Sequence, residues 1–209
     1  MATADMNRLI DLAKIRLPGA LDTALQMELF AVMDEFFIAS NLWTDDISFV
    51  VVPTSATHLE DPDAFTYPVV PAQGTIHRLL GVVNSQNVLQ AATMAIPGEI
   101  VIKNSPNETD TYTARLALTV TDPVTSEGYP QFPDWVMNRY GTDILDGLLG
   151  RMMSQIAKPY SAPNMALTHL KKFRSSTMSA KVDAQHKNIF GGQSWRFPQS
   201  FASRSNKRF

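Results

Sequence analysis

Two groups of carboxylates and four histidines are the residues of this chain whose types and spacing could do chemistry. Asp45-Asp46 and Glu60-Asp61-x-Asp63 bring acids together, an arrangement able to hold Mg²⁺ or to share acid–base work. Neither group has a further ligand type beside it, and Pro62 makes the second read as a charged turn. His58, His77, His169 and His186 fall in different stretches with no common spacing, so no metal-binding pattern arises from them. His77 lies in a strand pattern, where a packed or edge residue is a simpler expectation than a ligand. The chain has no cysteine, which removes thiol nucleophiles, disulfides and cysteine-bound zinc. It also lacks a Gly-rich phosphate loop, a His-Glu-x-x-His pair and a nucleophile elbow. The expectation is a protein that is not an enzyme and has no metal or cofactor.

Recognition chemistry is concentrated at the C-terminal end. Phe190, Trp195, Phe197, Phe201 and Phe209 alternate with Arg196, Arg204, Lys207 and Arg208 in a stretch with neither helical nor strand period. A solvated disordered tail normally avoids aromatics, because it cannot bury them. Large rings and arginines are also the side chains that dominate binding hot spots. Residues 188–209 therefore read as an extended arm that orders on a partner; the competing reading is that it packs back on its own domain. Charge follows the same division. From Lys171 onward nine Lys and Arg face one acid, a net +8, which leaves −10 on the first 170 residues of a chain whose total is −2. Such asymmetry suits a segment that meets an acidic surface or nucleic acid.

The elements that must position these residues change period twice. A first helix is predicted over 5–16, with Leu9, Leu12 and Ile15 on one stripe and Ile10 and Ala13 widening it, until Leu17-Pro18-Gly19 breaks it. A second is predicted over 20–42, where Leu21, Leu25, Leu29, Val32, Phe36 and Trp43 form one stripe and Met27, Phe30, Met33 and Phe37 a second beside it. A helix apolar on two faces is buried on two sides, either at the centre of a bundle or between its own domain and a neighbouring subunit. Strands are then predicted at 47–52, 75–83, 88–95, 99–103 and 111–121, with a loop over 53–74. In the last strand Tyr112, Ala114, Leu116, Leu118 and Val120 alternate with Thr113, Arg115, Ala117, Thr119 and Thr121, as in a half-buried antiparallel strand.

Helical period returns at Pro133, with Trp135, Met137, Tyr140, Ile144, Leu145, Leu148, Met152 and Ile156 on the buried side. Gly141, Gly147 and Gly150 each cost about 1 kcal/mol there relative to alanine, so they imply close approach of another backbone, within the fold or across a subunit contact. A fourth helix is predicted over 164–186, with Ala166, Leu170, Phe173, Thr177, Ala180 and Ala184 as a thin apolar stripe. The resulting fold class is α+β: a mainly helical bundle of about four helices, an inserted antiparallel β subdomain and an extended C-terminal arm. Its divisions fall at 1–46 and 129–187 for the bundle, 47–128 for the insertion and 188–209 for the arm. The N-terminus lacks a signal-peptide layout, and no apolar run approaches the roughly 20 residues that cross a bilayer, so a soluble product with no membrane contact is expected.

Several stretches carry a family resemblance. Leu9-Ile-Asp-Leu-Ala-Lys-Ile-Arg-Leu-Pro-Gly-Ala20, the helix ending Glu35-Phe-Phe-Ile-Ala-Ser-Asn-Leu-Trp43, Tyr129-Pro-Gln-Phe-Pro-Asp-Trp-Val-Met-Asn-Arg-Tyr140, Leu148 to Ala166, and Trp195-Arg-Phe-Pro198 with the basic, aromatic end resemble tailed-phage head–tail connector proteins. The likeness covers roughly 1–52 and 129–209. It implies a virion structural protein of the neck, assembled in the host cytoplasm, that forms a homo-oligomeric, twelve-fold ring beneath the portal protein. Such a ring receives the tail or nozzle on its other side and passes genomic DNA through its bore without specific binding. On that view Phe190, Trp195, Arg196, Phe197, Phe201, Arg204, Lys207, Arg208 and Phe209 dock on the portal, and Met27, Phe30, Met33, Phe37, Gly147 and Gly150 pack subunit against subunit. The alternatives are another neck, tail-completion or minor capsid protein, and a nucleic-acid-binding module that uses the basic arm.

Overall fold

In a computed structural model of the protein, which describes residues 6–53, 66–103, 108–121 and 132–187, helices flank a set of antiparallel strands in an α+β fold. The order is α1 (Asn7–Arg16), α2 (Asp22–Ser40), β1 (Thr44–Val51), β2 (Thr66–Pro68), β3 (Thr75–Val83), β4 (Leu89–Gln90), β5 (Ala92–Ile96), β6 (Glu99–Ile102), β7 (Asp110–Thr119), α3 (Asp134–Met153) and α4 (Pro163–Lys187). The arm at 188–209, the acids of Glu60-Asp61-x-Asp63 and His58 lie outside the described residues. One continuous apolar cluster joins helices and strands, from Leu9 of α1 through Phe36 of α2 and Leu116 of β7 to Phe173 of α4.

The α1 helix buries Leu9, Ile10 and Ala13 but leaves Leu12 and Ile15 exposed, so its apolar stripe is narrower than the sequence pattern predicts. Helix α2 stops at Ser40 because Asn41 adopts the left-handed conformation (φ 50°), its N–H bonded to the Phe37 carbonyl. Asparagine tolerates that conformation better than most residues, and it closes helices there. Two members of the predicted α2 stripe are thereby removed. Leu21 precedes the helix and is exposed, and Trp43 follows it, buried at the junction with β1. Trp43 also explains Gly74. A Cβ on Gly74 would lie 2.6 Å from the Trp43 ring and 2.8 Å from the Thr119 carbonyl, and its φ of +76° disfavours any other residue.

Strands β1, β7, β3 and β4 form a four-stranded antiparallel sheet in that order, and β2, β6 and β5 a three-stranded one. The segment predicted as one strand at 88–95 divides at Ala91, β4 joining the first sheet and β5 the second. A strand that changes sheets in this way makes a corner that sequence alternation does not reveal. Nor does it reveal β2, whose three residues end in proline inside the predicted loop. Across the gap between the sheets Phe49 of the first meets Tyr67 of the second at a centroid distance of 5.2 Å, and within the first sheet the same Phe49 ring lies 6.3 Å from its cross-strand neighbour Tyr112. The alternating face of β7 is buried as predicted. Ala117 and Thr119 of the other face are buried too, where the Thr119 hydroxyl donates to Asp34 of α2 at 2.6 Å.

Helix α3 ends at Met153, one turn short of the predicted stripe. Ile156 is 87% exposed beyond it, and Ala157 has a positive φ of 60°. Trp135, at the other end, is partly exposed, whereas Met137, Tyr140, Ile144, Leu145, Leu148 and Met152 are buried as predicted. The α4 helix then runs back antiparallel along α3, from the Ala162 N–H bonded to the Met153 carbonyl to Asp183 beside Tyr140.

Candidate functional site

The α4 residues that face α3 recur at steps of three and four: Ala166, His169, Phe173, Ser176, Ala180 and Asp183. This spacing is that of the seam between two helices packed side by side. Within it Ala166, Phe173 and Ala180 form an apolar row of period seven, all buried. His169, Ser176 and Asp183 form a polar row of the same period, and each meets a partner on α3. His169 Nδ1 lies 2.7 Å from Asp146 Oδ1, with both side chains nearly excluded from water. The Ser176 hydroxyl donates to Asp143 at 2.6 Å. Asp183 accepts from the Tyr140 hydroxyl at 2.9 Å and pairs with the Arg139 guanidinium. Burial, with the hydrogen bond to Asp183 as second cause, pushes the Tyr140 hydroxyl up to about 12. Buried polar groups are tolerated only when bonded, and this row meets that condition at every step.

The Asp146–His169 pair escaped the sequence reading, which compared the histidines with one another and not with acids on a different helix. Its one sequence signal is the seven-residue step linking 169, 176 and 183. Geometrically the pair resembles the oriented half of a catalytic dyad, but no serine or threonine hydroxyl is bonded to His169 among the described residues. No group of three or more potential metal ligands occurs among the described residues either.

The sequence candidates fall in several places. Asp46 is opposite Arg115 in the β1/β7 register and accepts two bonds from its guanidinium, at 2.7 and 2.6 Å, so this acid belongs to a cross-strand ion pair. His77 is the extra residue of a bulge in β3, between the paired positions Ile76 and Arg78, and is exposed. His186 is exposed on the last turn of α4.

Of the residues assigned to subunit packing, Met33 and Phe37 are completely buried in the chain's own core, and that corrects the assignment. Phe37 stacks against Phe36, Trp43 and Phe132. Gly147 and Gly150 are likewise occupied within the chain. A Cβ on Gly147 would meet Val32 of α2 at 2.6 Å and Phe173 of α4 at 2.8 Å, and one on Gly150 would meet Leu170 at 2.7 Å. The physical reason is that α2 and α4 both need to approach α3 closely, and glycine removes the side chain in the way. Phe30 is half-buried, and Met27 is 71% exposed. Met27 is thus the residue of this set most available to another molecule.

Two helices present mixed outer faces. On α2, Met27 and Ile38 are exposed, flanked by Glu28, Asp34 and Glu35. Arg151 of α3 pairs with both Glu28 and Glu35. On α4, Leu167, Met178 and Val182 are exposed, flanked by Lys171, Arg174 and Lys181, none of which has an ion pair among the described residues. No described helix is long and apolar enough to cross a membrane. No known family matches this chain, and no curated protein is significantly similar to it.

Proposed function

We propose that this protein is a non-enzymatic virion component of a tailed-phage neck, a head–tail adaptor that forms a ring under the portal, bridges capsid and tail, and continues the DNA channel. The observation that carries the reading is the uncovered apolar outer face of two core helices, with Met27 on α2 and Leu167 and Met178 on α4. Exposed apolar residues grouped on one element mark association surfaces. A ring with closed symmetry is the standard way to satisfy such surfaces in many copies of one chain. The charge distribution supports the same reading. A body of net −10 repels DNA phosphates in a bore, while the +8 end suits an acidic docking surface.

In this reading the body supplies the ring wall and residues 188–209 supply the anchor. Phe190, Trp195, Phe197, Phe201 and Phe209 would bury against the portal, and Arg196, Arg204, Lys207 and Arg208 would orient the contact. Its test is electron microscopy of the protein mixed with its portal, next to the same mixture with 188–209 deleted. Rings on the portal with the full chain, and bare portals with a truncated but still helical protein, are expected. A truncated protein that docks normally removes the anchor, and absence of rings from both mixtures removes the reading. Salt-sensitive DNA binding by the isolated protein would instead favour a nucleic-acid-binding module.

A further inference from the structure

We infer that the outer face of α4 in one copy packs against the outer face of α2 in the next, a head-to-tail contact between copies of this chain. This inference rests on the ring reading and names the surfaces that would build the ring. The two faces have the same layout and opposite charge. On α2 the positions 27, 31, 34 and 38 follow the helical repeat and place Met27 and Ile38 along one line, with Glu28, Asp34 and Glu35 around it. On α4 the positions 167, 171, 174, 178 and 182 do the same, placing Leu167, Met178 and Val182 among Lys171, Arg174 and Lys181. Glu28 and Glu35 share the single Arg151, and Asp34 accepts only from the neutral Thr119 hydroxyl of β7 among the described residues, so the α2 side keeps a net negative charge. The α4 cations have no ion pair among the described residues.

The two faces cannot satisfy each other inside one chain. Val32 of α2 and Phe173 of α4 both close on Gly147, so the two helices turn their opposite sides inward and their outer faces diverge. Their lengths are compatible, since 19 and 25 residues at about 1.5 Å each give roughly 28 and 37 Å. A contact between two different surfaces of the same molecule is heterologous, and heterologous contacts close into rings when the rotation per copy permits. An isologous contact, α2 on α2 or α4 on α4, would instead oppose like charges.

The test uses two full-length variants, Met27→Lys and Met178→Asp, each at an exposed side chain, so that helical content by circular dichroism should match wild type. Met27→Lys sets a cation against the basic α4 face and Met178→Asp an anion against the acidic α2 face, and each should weaken self-association roughly 100-fold, read by sedimentation velocity. Mixed together they should form a dimer and nothing larger, because Met27→Lys keeps an intact α4 face and Met178→Asp an intact α2 face. Restored dimerisation only on mixing is the result expected. If either variant assembles as wild type does, the contact lies elsewhere and the inference fails, while the ring reading stands on whatever other surface is used. Variants that both stay monomeric, alone and mixed, while wild type assembles, also overturn the head-to-tail pairing. A wild-type chain that never associates, even on portals, overturns inference and ring reading together.

Discussion

Along the α3/α4 seam, polar and apolar side chains alternate in a fixed order and every polar one has a partner on the other helix. In the strand half, rings make the contact between the sheets, Phe49 against Tyr67 with Tyr112 beside Phe49 in its own sheet, while the Asp46–Arg115 pair stays at the water-exposed side. The seam therefore specifies register from inside the core. One heptad of sliding would set Asp183 against Asp143, two carboxylates in a half-buried interface, in place of the Ser176 hydroxyl. The sheets take their register from backbone pairing and from the bulges of β3. What the contrast teaches is where damage should spread: a lost contact in the seam exposes unpaired polar groups, and a lost contact between the sheets costs mainly packing.

The largest effect expected from testing this contrast is Phe173→Ala, which empties the seam at a fully buried ring. It should cost about 3–5 kcal/mol of unfolding free energy, read from urea denaturation. Phe49→Ala, at a half-buried ring between the sheets, should cost about half as much. Equal losses would mean that the halves do not differ.

Polar truncations separate the halves next. Asp146→Ala leaves the His169 ring buried without its partner and should cost about 1–3 kcal/mol. Asp46→Ala removes a partly exposed ion pair and should cost under about 1 kcal/mol. A cycle with His169→Ala should show that most of the Asp146→Ala loss disappears when both groups are gone. Additive losses would rule out the pair as a unit.

Between the halves, Gly74→Ala should cost about 1–3 kcal/mol through its positive φ and the Trp43 contact, with a blue-to-red change in tryptophan emission if Trp43 becomes wet. Gly19, whose nearest foreign atom is 3.8 Å away, shares the positive φ without the crowding and should cost less on the same substitution.

The smallest effect concerns pH. Tyr140 is pushed up to about 12 in the folded chain, so its stabilising contribution is complete below about 10, the usual tyrosine value, and disappears as pH rises through about 12. Tyr67 and Tyr112 of the sheets are also raised, chiefly by burial. Stability should thus fall above pH 10 in the wild type, and Tyr140→Phe should fall less steeply there, after a loss of about 1 kcal/mol at neutral pH for the hydrogen bond to Asp183. Unchanged steepness would assign the alkaline loss to the sheets alone.

Periodicity by itself determined the two helical parts, the strands predicted at 75–83 and 111–121 and the buried face of β7, because β7 and the long helices bury a side whose spacing is written in the sequence. It also pointed to the glycines of α3 as sites of close approach, which holds for Gly147 and Gly150 but not for Gly141, where the nearest atom from another element, on Leu9, would lie 4.0 Å from a Cβ. Tertiary structure alone decided what approaches them: Val32, Phe173 and Leu170 come from other helices, and no local pattern encodes a meeting across 19 or more intervening positions. For the same reason Asp146 and His169 looked unrelated until α4 folded back on α3, and Met33 and Phe37 looked fit for a neighbouring subunit until α2 was found surrounded on two sides by its own chain. A helix with two apolar faces states that both are covered. Which molecule covers them is set by how the rest of the chain packs, and on α2 that packing reaches Met33 and Phe37 but leaves Met27 in water.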